Sequence, residues 1–227
     1  MFVGIDLGQR RVHVVALDEQ LRLQTATVVD VADLESLRSC LKDAEVVAID
    51  APEALSTAPH AYDESLSRKF RSARCAEIAL GREHRIWVPW VTPTIDQVLP
   101  LWMDVGFQVF DLTRSCDAEA VEVFPHAGFR VLAGSRIPSK LSAGGLRVRA
   151  ELLRERGVVI EALEMWSHDS LDAALAALIA RDVAQSRATR VGCGHDASAI
   201  HLPAAIGPAA PPATSSELRA AEAFTQP

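Results

Sequence analysis

The chain has 227 residues, of which 49% are hydrophobic, and it carries a formal net charge of −7. This length fits one large domain or two small ones with an ample core, and the acidic balance excludes a surface that is basic throughout, although a local basic face is compatible with it. No apolar run reaches the roughly 18 residues of a membrane span and no basic leader precedes a hydrophobic segment, so we expect a cytoplasmic protein without a membrane anchor.

The first fifty residues predict a small mixed sheet. Residues 2–7 and 11–17 are apolar or alternating and flank a polar turn, which predicts a β-hairpin, and residues 23–30 add a third antiparallel strand. Leucines at helical spacing predict a helix over residues 33–43. The β-branched run at 45–50 is typical of a buried parallel strand that follows such a helix.

The rest of the chain predicts mostly helices, at residues 64–81, 94–105, 145–156 and 167–185, with a loop rich in Trp and Pro near 87–93 and one more strand at 119–125. We therefore expect one α/β domain over residues 1–206, in which helices flank three antiparallel strands followed by parallel strands. The tail, residues 207–227, is rich in Pro, Ala and Ser and is expected to be disordered.

The four cysteines lie far apart in the sequence and form no Cys-x-x-Cys pair. This spacing favours reduced thiols over a disulfide framework or a closed zinc site. A Cys, a His and an Asp do occur together in "CGHD" at 193–196, but without partners at ligand spacing they are expected to form a solvated loop.

Carboxylates close two of the predicted buried strands. Asp6 ends the first strand and Asp50 ends the fourth, so the two side chains face each other if these strands are neighbours, as a right-handed crossover allows. Two carboxylates about 4 Å apart repel by about 4 kcal/mol at an effective dielectric near 20, and such a pair needs a cation or a shared proton. Mg²⁺ prefers oxygen ligands of this kind. Asp169 and Asp172 share a helix face and are candidates for further oxygen ligands.

Each candidate acid also has a structural interpretation. Asp6 is able to cap a turn, and Glu122, on the strand at 119–125, is able to pair with Arg74 and only brace the sheet. Asp169 stands in the first turn of a helix, where an acid stabilises the helix dipole without further function. Because Asp172 faces the core side of its helix, the pattern favours Asp169 as the direct metal ligand.

Two basic runs, at residues 68–85 and 147–156, are candidates for phosphate contacts, although charge runs are usually solvated faces. Trp87 and Trp90 flank a proline in "IWVPW". These rings are either loop anchors, which is the favoured interpretation, or a lip on which bases stack.

An ordered set of motifs resembles a known family. The motifs are "GIDLG" at 4–8, "AIDAP" at 48–52, "RCAE" at 74–77, "VEVFP" at 121–125, a lysine at 140 before "GGLRVRAELL", "DSLDAALAALIA" at 169–180 and "AIHLP" at 199–203. Together they resemble the domain-of-unknown-function 429 family, which is similar to predicted ribonuclease-H-like nucleases. In "RCAE", Glu77 stands where an aspartate is commoner in the family.

The resemblance implies a metal-binding carboxylate cluster drawn from five acids, with three further polar residues near it. The acids are Asp6, Asp50, Glu122, Asp169 and Asp172, and the neighbours are Arg74, Glu77 and Lys140. We expect Asp6, Asp50 and Asp169 to bind the metal, and Arg74, Glu77, Lys140 and Arg147 to contact the substrate.

The leading hypothesis is a ribonuclease-H-like nuclease that uses Mg²⁺ or Mn²⁺ to hydrolyse phosphodiester bonds in a nucleic acid. In that mechanism the carboxylates hold two ions about 4 Å apart. One alternative is a non-catalytic module of the same fold that binds nucleic acid or protein. Another is a phosphotransferase, because "GIDLG" also resembles the first phosphate loop of sugar kinases and actin-like ATPases, which carry a second copy of the domain.

Overall fold

The computed structural model describes residues 1–162 and 166–204. Seven strands and six α-helices lie in these residues, together with 3₁₀ helices at Val31–Leu37 and Arg68–Ser72. The strands are β1 Phe2–Leu7, β2 Arg11–Leu17, β3 Leu23–Asp30, β4 Val46–Asp50, β5 Glu119–Glu122, β6 Thr189–Val191 and β7 Ile200–Leu202. The helices are α1 Arg38–Leu41, α2 Cys75–His84, α3 Leu101–Arg114, α4 Pro125–Ala133, α5 Ala143–Glu155 and α6 His168–Ala184.

The central sheet has five strands in the order β3-β2-β1-β4-β5. β1, β2 and β3 pair antiparallel, whereas β4 pairs parallel with β1 and β5 pairs parallel with β4. This arrangement confirms the predicted mixed sheet, in which three antiparallel strands are followed by parallel strands. A second, two-stranded sheet joins β6 to β7.

Helices cover both faces of the central sheet. On one face, alternate residues of β1 and β4 pack against α6, in a cluster that also contains residues of α4 and α5. On the other face, the intervening residues pack against α3, in a cluster that also contains residues of α1. Side chains alternate between the faces of a strand, so each acid at a strand end belongs to one face. Asp6 and Asp50 follow Phe2 and Val46 at even spacing and therefore lie on the α6 face.

Gly4 brings α6 directly onto β1. A Cβ atom at this position would overlap the carbonyl oxygen of Ala173 and the amide nitrogen of Ala177. The helix therefore lies closer to the strand than any side chain at residue 4 allows. This approach places the first turns of α6, with Asp169 and Asp172, above the end of β1 that carries Asp6.

The helical boundaries differ from the predicted ones wherever proline intervenes or turns compete. The predicted helix at 64–81 is divided into the 3₁₀ helix Arg68–Ser72 and α2, and the predicted helix at 94–105 begins only after Pro100, because a proline disfavours the helical conformation in the residue before it. The helix α4, which begins at Pro125, was not predicted.

The prediction of reduced thiols was wrong for two of the four cysteines, whereas Cys40 and Cys116 are free. Cys75 and Cys193 are joined by a disulfide in the structure, and the loop that carries Cys193 is docked on α2. The backbone N–H groups of Cys75 and Ala76, at the start of α2, donate to Asp196 and Ser198 at 3.1 Å each. The pairing connects residues separated by 118 positions, a contact that spacing alone does not reveal.

The predicted tail, residues 207–227, lies outside the described residues. Among the described helices, none combines the length and the apolar character needed to cross a membrane.

Candidate active site

Asp6 and Asp50 are direct neighbours across β1 and β4. Their Cα atoms are paired in the parallel register of the two strands, which lie about 4.8 Å apart in any sheet. The Asp6 side chain is buried, at 4% exposure, whereas Asp50 borders an open cleft. The sequence-based expectation that these two acids meet at one depth agrees with this register.

Burial and like charge dominate the electrostatics of the pair. Burial, followed by the charges of Asp50 and Asp172, raises the pKa of Asp6 well above its ordinary value. The pKa of Asp50 is raised to about 8, chiefly by burial and by the charge of Asp172, while Lys140 and a hydrogen bond with Asp6 oppose the rise. Both shifts favour the protonated form of these carboxyl groups near neutral pH, and a bound cation would favour the ionised form instead.

Asp172 completes a group of three buried carboxylates. It lies in the second turn of α6. Ser167 caps the N-terminus of this helix, and its hydroxyl oxygen accepts a hydrogen bond from the Ser170 N–H. Its Oδ2 accepts a hydrogen bond of 2.9 Å from Lys140, and its Oδ1 lies 3.9 Å from Arg149 Nε. Among the described residues Oδ1 has no hydrogen-bond partner, although it is fully buried.

Asp169 lies at the rim of the same group. Its side chain is 34% exposed, and its Oδ2 lies 3.6 Å from Nε2 of His13, the residue paired with Asp6 in the hairpin register. Asp169 raises the pKa of Asp6 less than Asp172 does and is not among the main influences on Asp50. The geometry thus favours Asp172 over Asp169 as the inner ligand, in the opposite order to the sequence-based expectation.

Glu122 is engaged by Arg74 rather than by the three acids, although its charge is among those that raise the pKa of Asp50. It is paired with Ile49 in register and lies on the opposite face of the sheet from Asp50. Both of its carboxylate oxygens accept hydrogen bonds of 2.6 Å from Arg74, and the Glu53 N–H donates a third, of 2.9 Å. This arrangement is the bracing pair that the sequence offered as the alternative interpretation.

Glu77 extends the pair into a buried network. It accepts hydrogen bonds from the backbone N–H groups of Arg74 and Thr92 and from the guanidinium of Arg74. Arg74 and Glu77 are 1% and 0% exposed. Both side chains are occupied in tying α2 to the segment around Thr92 and to β5, and they are too buried to touch a substrate directly.

The basic residues divide into buried and exposed groups. Arg149 is buried, lies over the ring of Phe129 at 5.3 Å and borders the cleft beside Lys140. Arg147 is exposed and lies about 200° around the same helix from Arg149. The structure therefore brings Lys140 and Arg149 to the acids and leaves Arg147 on another side of α5.

An open cleft of about 660 Å³ begins at Asp50 and Lys140. Its opposite wall is aromatic and contains Trp87, Trp90, Trp102, Phe124 and His126. A second groove of about 590 Å³ starts at the same hairpin turn, Gly8–Gln9, and is lined by Arg10, Arg11, His13 and Asp169. The acids thus lie between an aromatic cleft and a basic groove.

Sequence reasoning missed His13 and the two arginines of the turn, and it named Arg149 only as one member of a basic run. A usable signal existed for His13, because the hairpin register around "GQRR" pairs residue 13 with residue 6. Nothing in the sequence marks Arg149 off from the other arginines of its run, since the contact with Asp172 depends on how α5 packs on α6.

The donor set fits a hard divalent cation. Asp6, Asp50 and Asp172 offer only carboxylate oxygens, the ligands that Mg²⁺ and Mn²⁺ prefer. Asp172 Oδ1 is buried without a hydrogen-bond partner among the described residues, and burial followed by neighbouring negative charge raises the pKa of the other two acids. A bound cation would satisfy the free oxygen and offset the repulsion.

Residues 103–196 match the model of a family described as "Protein of unknown function (DUF429)". No curated protein matches the chain. Among solved structures, the chain is similar to the Thermus thermophilus RuvC structure, with 15% identity, a TM-score of 0.42 and coverage of 88% of this chain and 98% of that one. The match at 103–196 contains most of α3 together with β5, Lys140 and α6, and over these residues the predicted resemblance to the domain-of-unknown-function 429 family is confirmed.

Proposed function

We propose that the protein is a metal-dependent phosphodiesterase that cleaves nucleic acid. One observation carries the proposal: three carboxylates, Asp6, Asp50 and Asp172, meet at the end of the sheet beside an open cleft, and Asp172 Oδ1 is buried there without a hydrogen-bond partner among the described residues. Buried acids with raised pKa values that border a cleft are candidates for a functional site.

Asp6, Asp50 and Asp172 would hold Mg²⁺ or Mn²⁺, with Asp169 at the rim. Bound there, such an ion supplies an activated water and stabilises charge on the phosphate oxygens. Gly4 fixes the distance between α6 and β1, and it therefore fixes the position of Asp172 relative to Asp6. Lys140, hydrogen-bonded to Asp172 and partly exposed, is placed to bind a phosphate oxygen in the cleft.

The surroundings of the acids support a polymeric substrate. The aromatic wall formed by residues such as Trp87 and Trp90 offers faces for stacking with bases. Arg10 and Arg11, on the other side of the Gly8–Gln9 turn, are exposed and offer charge to the phosphates. A strand that crosses the turn would contact both surfaces and pass over the acids.

The activity test is cleavage of single-stranded, duplex, hybrid and branched DNA and RNA in Mg²⁺ or Mn²⁺. We expect cleavage of at least one of them, and binding without cleavage in Ca²⁺, because its looser coordination positions water poorly. Asp6→Asn, Asp50→Asn and Asp172→Asn should abolish turnover, Asp169→Asn should reduce it less, and Asp111→Asn, at an exposed acid of α3, is the matched control.

The outcomes separate the alternatives. Binding to nucleic acid without cleavage under any ion would favour the non-catalytic module, and ATP hydrolysis without cleavage would favour the phosphotransferase. The absence of both binding and cleavage would refute the proposal.

The contact surface is tested separately by binding in Ca²⁺ over a range of salt concentrations. Arg10→Ala with Arg11→Ala should weaken binding and flatten its salt dependence, because each lost phosphate contact lowers the slope of log K against log salt by roughly 0.7–0.9. Arg147→Ala, which the sequence singled out, is the comparison. A larger effect for Arg147 than for the turn arginines would place the substrate on the other side of α5.

A further inference from the structure

A second group of metal-ligating side chains lies outside the carboxylate site. His60, Cys75, Cys193 and His195 come from three separate parts of the chain: the segment after β4, the start of α2 and the loop between β6 and β7. One ligand atom from each residue lies within 4.8 Å of all the others. Two sulfurs and two imidazole nitrogens form the Cys₂His₂ set typical of structural zinc sites.

The distances between sulfur and nitrogen suit a tetrahedral ion. Cys193 Sγ lies 3.4 Å from Nε2 of His60 and 3.5 Å from Nδ1 of His195, and Cys75 Sγ lies 3.7 Å from Nε2 of His60. A tetrahedron with Zn–S near 2.3 Å and Zn–N near 2.0–2.1 Å has S···N edges of about 3.5 Å. Three edges of the expected tetrahedron are therefore already present.

The hydrogen-bonding partners of His60 do not account for its burial. The residue is only 8% exposed, and the contacts of its Nε2 among the described residues are the two sulfur atoms, which are weak hydrogen-bond partners. His195 packs edge-on against it, with ring centroids 5.7 Å apart. A shared metal ion would explain why two imidazole rings converge on two sulfur atoms at this place.

The backbone frame of the group is fixed independently of the sulfurs. Asp196, next to His195, accepts from the Cys75 N–H and from the Ser198 N–H, and Ser198 accepts from the Ala76 N–H. The segments that carry Cys75, Cys193 and His195 are therefore held together by hydrogen bonds as well. A ligand set on such a frame keeps its arrangement when the bond between the sulfurs is absent.

We propose that the reduced protein binds one Zn²⁺ through His60, Cys75, Cys193 and His195, and that the disulfide of the structure is the oxidised, metal-free form of the same site. A dithiol reductant donates two electrons and two protons: the S–S bond breaks, two thiols form, and the dithiol becomes a disulfide. The two thiols then lose their protons to solvent as the zinc binds both thiolates.

This ion would be structural. Four protein ligands close the tetrahedron and leave no position for a substrate. Because Cys75 follows Arg74 directly, the ion would anchor the end of α2 from which Arg74 reaches Glu122. Its soft donors also distinguish it from the oxygen-only site of Asp6, Asp50 and Asp172.

The test measures metal binding by the full chain after reduction with dithiothreitol and desalting without air. Titration with Zn²⁺ against a chromophoric chelator should give one equivalent bound, and Co²⁺ should give the intense visible absorption of tetrahedral cobalt with thiolate ligands. Cys75→Ser with Cys193→Ser should lose the zinc. His60→Ala and His195→Ala should each lower the affinity by more than about tenfold, the loss that even outer-shell partners cause.

Matched controls isolate the site. Cys40→Ser with Cys116→Ser removes the two free cysteines, and His84→Ala removes a histidine of α2 that is not a proposed ligand. Asp6→Asn with Asp50→Asn disables the carboxylate site. All three variants should still bind one equivalent of zinc. The proposal is overturned if the reduced wild type binds less than one equivalent, if its Co²⁺ spectrum lacks thiolate character, or if the Cys75/Cys193 variant retains the zinc. The Co²⁺ spectrum needs only the wild type, so it decides the matter even if a variant fails to fold.

Discussion

Replacing Asp50 with asparagine should stabilise the metal-free protein at neutral pH. A carboxyl group with an ordinary pKa of 3.8 that rises to about 8 in the folded state stays protonated at pH 7 only at a cost of roughly 4 kcal/mol, since each unit corresponds to about 1.36 kcal/mol. Asparagine needs no proton, but it must still be desolvated. We therefore expect a net gain of at least about 1 kcal/mol, or about 2–4 °C in melting temperature for a chain of this size.

The sign of the pH dependence follows from the raised pKa of Asp50. In the wild type its contribution to stability is complete below pH 3.8 and is lost as the pH rises through about 8, because the folded state holds a proton that the unfolded state releases. Asparagine does not titrate. The advantage of Asp50→Asn should thus be smallest near pH 4 and grow towards pH 8.

Thermal and urea unfolding between pH 4 and pH 8, with a chelator present, measure this difference. Asp111→Asn, at an acid whose side chain is 82% exposed, controls for the loss of one negative charge. A variant less stable than the wild type at pH 7, or a gain that is the same at pH 4 and pH 7, would refute the account of a mutually repelling buried pair.

Three further changes test the site and its supports. Millimolar Mg²⁺ or Mn²⁺ should raise the melting temperature of the wild type by mass action and should not raise that of Asp6→Asn; an equal shift in both would remove Asp6 from the metal site. Gly4→Ala should destabilise the protein by about 1–3 kcal/mol or more in urea unfolding, because the new methyl group overlaps the backbone of α6. The control Gly144→Ala, with open space around residue 144, should leave the stability unchanged. If Gly4→Ala is as stable as the wild type, α6 is free to shift. Arg74→Met should lower the free energy of unfolding by about 3–5 kcal/mol, because it leaves Glu122 and Glu77 buried without their cation. The rise in melting temperature that Mg²⁺ causes should remain. Loss of that rise would show that Arg74 acts on the carboxylate site.

The sequence predicted the mixed sheet and the meeting of Asp6 with Asp50 because both depend on short-range signals. Alternating hydrophobicity and a polar turn define the hairpin, and one helix leads back to a parallel neighbour. The same reasoning could not decide whether Asp169 or Asp172 is the inner metal ligand, because that depends on how closely α6 packs on β1. The distance between α6 and β1 is set by Gly4, which precedes Asp169 by about 165 residues. This contact leaves no periodic pattern in the sequence.

Side-chain alternation explains the ambiguity over Glu122. Its position at the end of β5 resembles that of Asp50 in β4, but it lies one residue out of phase and therefore on the other face, where Arg74 pairs with it. The convergence of His60, Cys75 and Cys193 was equally hidden, because it results from loops that meet only after the sheet has formed.

The packing of α6 on β1 also has a consequence for biosynthesis. The strand β1 is synthesised well before the helix that covers it, which ends at Ala184. At about 5–20 residues per second, translation takes roughly ten to thirty seconds to bridge that interval. During this time the apolar face of the β1–β2 hairpin, including Phe2 and Val15, has no α6 to cover it. This face is therefore a hydrophobic surface that the nascent chain exposes until α6 has been synthesised, and the sheet is covered only after that point.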